Sequence, residues 1–355
     1  VRPPSQLLLP SFPTGEEEIT VFLVVRTAYD DQGAWQDTLS YLSDLPGVLP
    51  HPPLPRPEHG GQGAVPPPND KHLLLVDDPA WRNATTAEIH SALEQAGSWL
   101  PHLVLLADER TMADPVHRSL LAFTTSPEDQ DTPQEHPFVP HEHVLRIGAR
   151  QTSMLYLVFE AEFHYLGDWK AALPEEPDEV FGADLDLLAS PPRYRPLTGR
   201  PPRLPVSEDP LLVRTHHGDD EAWNAVLRAV GAPVFDDEGF ELPKEDPGAA
   251  HAYVHVVDDT GYTGLSFEQL MGLSPHDSHS FLIVADEPTM LDPRHPLLVV
   301  DLFEDPGRSF RAAPEAIPTI QINLSLANMD FDDYHCGEGF IQYCGSTHEE
   351  SMKVL

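Results

Sequence analysis

IVADEPTMLDPRH, at 283–295, has a counterpart in LLADERTMADPVH, at 105–117, a separation of 178 residues. Upstream, VHVVDD ending at Asp259 answers LLLVDD ending at Asp78, 181 residues apart. Further upstream, LLVRT at 211–215 answers FLVVRT at 22–27. Asp219 and Trp223 follow the one as Asp31 and Trp35 follow the other, 188 residues apart throughout. Ordered matches with a slowly shrinking offset are the signature of a duplicated domain with small length changes. A chain of 355 residues is long enough for two such domains, each with its own core.

The pattern around these matches gives an α/β fold. FLVVRT and LLVRT are short apolar runs and read as buried strands. Asp31 and Asp219 are placed to cap helices that carry Trp35, Leu39 and Leu42 in one copy and Trp223, Val226, Leu227 and Val230 in the other. A second strand is expected at 72–76 and 252–257, and a helix opening at Thr86 or Ser266 with an acidic residue close behind. A third strand is expected at 102–107 and 280–285. The Asp-Pro pairs at 114–115 and 292–293 read as turns into a fourth strand, at 119–124 and 297–302. In the second copy 309–312 reads as a fifth strand, and Asn323 is placed to cap a last helix over LSLANMDFDDY. Strand–helix–strand repeats imply right-handed crossovers and a parallel core, to which the Asp-Pro turn adds an antiparallel strand. Two homologous domains follow, each a mixed, mainly parallel sheet flanked by helices. The first spans 16–171 and the second 206–340, joined by a Pro-rich linker at 172–205 and followed by a tail at 341–355.

The net charge is −37, and both copies carry it. Residues 16–171 hold 24 acids against 9 bases, and 209–340 hold 25 against 6. Such a surface repels nucleic acid and anionic membranes and speeds encounter with a basic partner. No apolar run reaches the length of a membrane span, and the N-terminus lacks the pattern of a signal peptide. The only cysteines are Cys336 and Cys344, which read as reduced thiols and point to a cytoplasmic protein.

The motifs as a set carry a resemblance. LLVRT with Asp219 and Trp223, then VVDD, HSFLIVADEPTMLDPRHPLLVVDL, PGRSFR and NLSLANMDF resemble a family of actinobacterial proteins whose domain has no assigned function. The likeness is close over about 210–335 and weaker over about 21–166. It implies a domain boundary and no chemistry. Where the second copy has Asp301, Asn323, Asn328 and Asp330, the alignment sets Phe123, Gln151, Tyr156 and Val158 in the first.

Ligands of open parallel sheets bind beyond the carboxyl ends of the strands. In the second copy those ends carry Arg214 and Thr215, then Asp258 and Asp259, then Asp286. With Asp301, Arg308, Asn323 and Asn328 they form the candidate ligand-binding rim. Converging carboxylates suit Mg²⁺ or Ca²⁺, with Arg214 on a phosphate. The same residue types at strand ends also start turns, cap helices and pair with one another. Histidine pairs at 216–217 and at 141 and 143 lack the spacing of zinc ligands. Nucleotide-binding loops and nucleophile elbows are absent from the sequence, so no catalytic residue, metal or cofactor is assigned. The leading expectation is an acidic, non-catalytic protein-binding module, an immunity or antidote type or an accessory interaction protein, that recognises a basic partner. The alternative is a metal-dependent or phosphate-ligand enzyme with its site on the rim of the second copy.

Overall fold

The computed structural model describes residues 21–43, 45, 50–51, 72–96, 101, 103–125, 144–160, 201–232, 251–275, 280–303, 305–334, 341–343 and 352–354. The chain divides into two compact units, 1–198 and 199–355.

The first unit runs β1 (Val21–Arg26), α1 (Gln32–Leu42), β2 (Pro50–His51), β3 (His72–Val76), α2 (Thr86–Ala96), β4 (Leu103–Ala107), α3 (Glu109–Ala113), β5 (Leu120–Thr124), β6 (Val144–Ile147) and α4 (Ala149–Glu160). The sheet order is β2-β3-β1-β4-β5-β6. β2, β3, β1 and β4 are parallel, and β5 is antiparallel to both β4 and β6. All six residues of β1 are buried, because it lies mid-sheet with cover on both faces. Val21, Leu23 and Val25 meet Ile89, Ala92 and Leu93 of α2 on one face. On the other, Phe22 packs on Tyr156 of α4, ring centroids 5.0 Å apart.

The second unit repeats this plan. Its elements are β7 (Leu211–Arg214), α5 (Asp220–Val230), β8 (His255–Val257), α6 (Phe267–Leu273), β9 (Phe281–Ala285), α7 (Glu287–Leu291), β10 (Leu297–Asp301), β11 (Ser309–Ala312) and α8 (Ile317–Ser325), then β12 (Ile341–Tyr343) and β13 (Met352–Val354). The order is β13-β12-β11-β10-β9-β7-β8. Five strands of each sheet therefore correspond, with the same directions, and the mixed α/β architecture read from the repeat is the one observed. Leu212, Ile283, Val299 and Phe310 form a core with Trp223, Val226 and Val230 of α5 and Ile317 and Ile320 of α8.

Several expectations need correction. The first unit also has the fifth strand, β6, expected only in the second. Leu103 pairs with Thr124, and Phe281 with Asp301, so the counterpart of Asp301 is Thr124 rather than Phe123. Asn323 does not cap a helix. It sits in the last turn of α8, which begins at Ile317 with a proline in its first turn. Gln151 lies in the first turn of α4 and is not its counterpart. The cap of α2 is Thr85, whose hydroxyl and backbone N–H exchange bonds with Glu88, while Ser266 pairs with Gln269. β8 is shorter than expected, because the Gln321 side chain takes the backbone N–H and C=O of Tyr253. The end of the expected linker is packed: Leu204 is buried and its N–H donates to Leu273 O.

After β3 and β8 the chain makes a single 3-10 turn, capped by Asp78 or Asp259, and reaches a left-handed residue, Asn83 (φ 55°) or Gly264 (φ 74°). That residue donates its N–H to Thr27 O or Thr215 O, 2.8 Å in both units. A Cβ on Gly264 would meet nothing within 4 Å, so the backbone conformation alone selects against side chains there. Gly264→Ala is expected to cost about 1 kcal/mol in chemical denaturation, and Gly264→Asn less, since asparagine tolerates this region.

Candidate functional site

The carboxyl ends of β7, β8 and β9 bring together Arg214, Thr215, Asp258, Asp259 and Asp286. Each has a structural partner. The Arg214 side chain is 4% exposed. Its Nε donates to His216 O (3.1 Å) and its Nη2 to Asp219 O (3.2 Å) and Asp220 Oδ1 (2.7 Å). Nη1 lies 3.4 Å from both oxygens of Asp258, and the guanidinium sits over the Trp223 ring. Thr215 N–H extends the strand pairing by donating to Ala285 O (3.0 Å). Asp219, Asp259 and Asp286 are helix caps, accepting from Ala222, Gly261 and Thr289 N–H. His217 Nδ1 lies 2.9 Å from Thr263 Oγ1, and its buried Nε2, which makes no hydrogen bond among the described residues, lies 3.3 Å from Asp258 Oδ1.

Asp286 has one further partner. Arg311 of β11 donates to both its oxygens, at 2.9 and 2.6 Å, and to Pro296 O at 3.0 Å. Thr289 Oγ1 bridges Asp286 and the same carbonyl.

The first unit has the same wiring. Arg26 donates to Ala28 O, Gln32 Oε1 and Asp77, and lies over the rings of Trp35 and Tyr29. Trp35 Nε1 donates to Asp77 Oδ2 at 2.9 Å. Arg146 of β6 is bidentate to Asp108 and reaches Ser119 O, and Thr111 Oγ1 bridges Asp108 and Ser119 O. Arg146 is therefore the counterpart of Arg311, a pairing absent from the sequence reading.

The remaining predicted residues do not join the rim. β10 is antiparallel to β9, so Asp301, at its end, pairs with Phe281 at the start of β9, on the opposite side of the sheet. Asp301 is buried and accepts from Phe303 and Asp305 N–H, holding the loop into β11. Arg308 lies in that loop, 3.8 Å from Asp305. Asn323 donates to Met329 Sδ and Tyr334 Oη, and exposed Asn328 donates its N–H to Asn323 O. The Asp-Pro turns behave as read: Asp114 accepts from Val116 and His117 N–H, and Asp292 from Arg294 N–H. Cys336, Cys344, His141 and His143 lie outside the described residues.

Burial pushes the Asp108 carboxyl up, but the Arg146 guanidinium and the Thr111 bonds outweigh it and hold the group below its ordinary range. Burial and the Asp77 carboxylate raise Tyr29, which stays a neutral phenol. Since Asp108 has a lower pKa folded than unfolded, its pairing stabilises the first unit fully above about pH 4. The contribution is lost as the pH falls through the folded pKa. Asp108→Asn is expected to flatten the acid limb of the unfolding midpoint between neutral and acid pH, measured by circular dichroism.

Among the described residues, no group of three or more His, Cys, Asp or Glu side chains is placed to hold a metal ion. Nor is any helix among them long and apolar enough to cross a membrane. The comparison with curated proteins gives no match. The model of a domain of unknown function, DUF6924, matches at residues 21–154 and again at 209–339, so the chain belongs to that family and carries its domain twice.

Proposed function

We propose that the chain is an acidic, non-catalytic protein-binding module whose partner presents a basic surface. One observation carries this reading. At both rims the arginines and carboxylates that could serve chemistry are engaged in caps and ion pairs, with the same wiring in two diverged copies. What remains outward at the second rim is acidic: Asp220, Glu221, Asp258, Asp259 and Glu287 are exposed. A field of one sign steers and selects an oppositely charged partner. In this reading the protein works in the cytoplasm with its cysteines as thiols, and masking a basic protein is its most concrete role.

The test has two arms. Thermal-shift titration of the full chain with Mg²⁺, Ca²⁺, Mn²⁺ and nucleotides is expected to give no shift. A ligand at about a hundredfold over its Kd would add about 2.7 kcal/mol. A specific shift, lost in Asp258→Asn, would instead support the metal- or phosphate-ligand enzyme. Affinity capture at low and high salt should return basic proteins that salt releases. A neutral or acidic partner held without salt sensitivity would sink the proposal.

A further inference from the structure

The two sheets end differently on the side of β3 and β8. In the first unit β3 carries an added strand, β2, with Pro50 opposite Leu73 and His51 opposite Leu74. Strand register makes Val254 and His255 the counterparts of Leu73 and Leu74, since Val25 pairs with Val76 as Val213 pairs with Val257. In the second unit β8 is the last strand, and among the described residues nothing pairs with its outer side.

Among the described residues the backbone directions agree with this. His255 N–H donates to Pro210 O at 2.9 Å, which turns the polar groups of His255 and Val257 toward β7. Alternation then directs those of Val254, Val256 and Asp258 to the outer edge. His255 is exposed, and so is Val256, at 41%. Native edges are guarded by short strands, charges, proline or a bulge; β8 is short, three residues, but 254–258 contains neither proline nor lysine to block a ladder. Asp258 and Asp259, both exposed, stand at its end, in a domain whose 25 acids face 6 bases.

We propose that this edge docks an extended, basic segment of a partner protein, which adds to β8 as a further strand. The inference rests on the protein-binding reading above and locates its contact. Three features select the occupant. The homologous edge already accepts a strand, so the geometry suits one. The outward backbone groups supply ladder hydrogen bonds. The acidic end favours lysine or arginine, and the exposed Val256 favours apolar residues alternating with them.

The test titrates ¹⁵N-labelled full-length protein with a peptide of alternating lysine and valine. The same peptide with every backbone amide N-methylated, equal in charge but unable to donate ladder bonds, is the control. The lysine–valine peptide is expected to slow amide exchange at Val256 and Asp258 by about tenfold and to bind about tenfold more tightly than the control. Val256→Pro, which removes one outward N–H from an edge strand, should weaken the first peptide by about tenfold and leave the second unchanged. The peptide comparison needs no variant, so a poorly folding Val256→Pro would not blunt it. Equal, salt-sensitive binding of both peptides with Val256 unprotected would overturn the edge site and leave the acidic-module reading standing. No salt-sensitive binding of either would overturn both. Protection of Val256 in the free protein would show the edge filled by the chain itself, or by a second copy if it rises with concentration, and would also overturn the proposal.

Discussion

Trp35→Ala is expected to destabilise the first unit by about 3–5 kcal/mol, the usual cost of truncating a buried aromatic. The side chain is fully buried, forms the underside of the Arg26 guanidinium and donates Nε1–H to Asp77. Its loss leaves a cavity and removes one of the bonds that fix Asp77. Trp35→Phe separates these effects. It fills most of the space and forfeits the N–H bond, so it should cost about 1 kcal/mol more than the packing change alone. Denaturant unfolding followed by circular dichroism measures both. If Trp35→Ala leaves the unfolding curve unchanged, the packing account of the first rim is wrong.

Arg311→Met carries the second large effect, about 2–3 kcal/mol. Breaking a fully buried ion pair from one side costs about 3–5 kcal/mol, and the figure is discounted because both partners are partly exposed, at 26% and 21%. Asp286 would keep its Thr289 bonds but stand as a part-buried carboxylate without its arginine. Asp286→Asn keeps the capping oxygen and removes the charge. A double-mutant cycle should therefore show a coupling of about 1–3 kcal/mol between 286 and 311. A coupling near zero would mean that the pair contributes geometry and no stability. It would return Asp286 to the pool of groups available for binding.

Much of the fold was legible because its signals are local. A strand buried on both faces must be apolar throughout, as LLVRT and FLVVRT are apart from their ends. A capping aspartate must stand one residue before its helix, as Asp31 and Asp219 do. The rim was only partly legible because its second arginine is not local. Eighteen undescribed residues lie between 125 and 144 in the first unit, while the corresponding connection in the second runs only from 302 to 308. That difference slides the alignment and hides the equivalence of Arg146 and Arg311. Asp301 and Arg308 do not belong on the rim even by the expected antiparallel fourth strand, whose reversal carries them to the opposite end of the sheet. Asn323 is expected to open a helix, whereas the helix already runs from Ile317, with Pro318 in its first turn, where a missing N–H costs nothing.

Several acceptors in these networks are main-chain carbonyls: Ala28 or His216, Ser119 or Pro296, Ala107 or Ala285. Every residue type supplies a carbonyl, so residues as different as alanine and histidine, or serine and proline, present the same acceptor there. Drift at these positions is nearly invisible to selection, while the donors that aim at them are held. Lineages of this domain can thus lose recognisable sequence kinship long before they lose their wiring. Distant relatives are better sought by the placement of two arginines against two aspartates than by any run of letters.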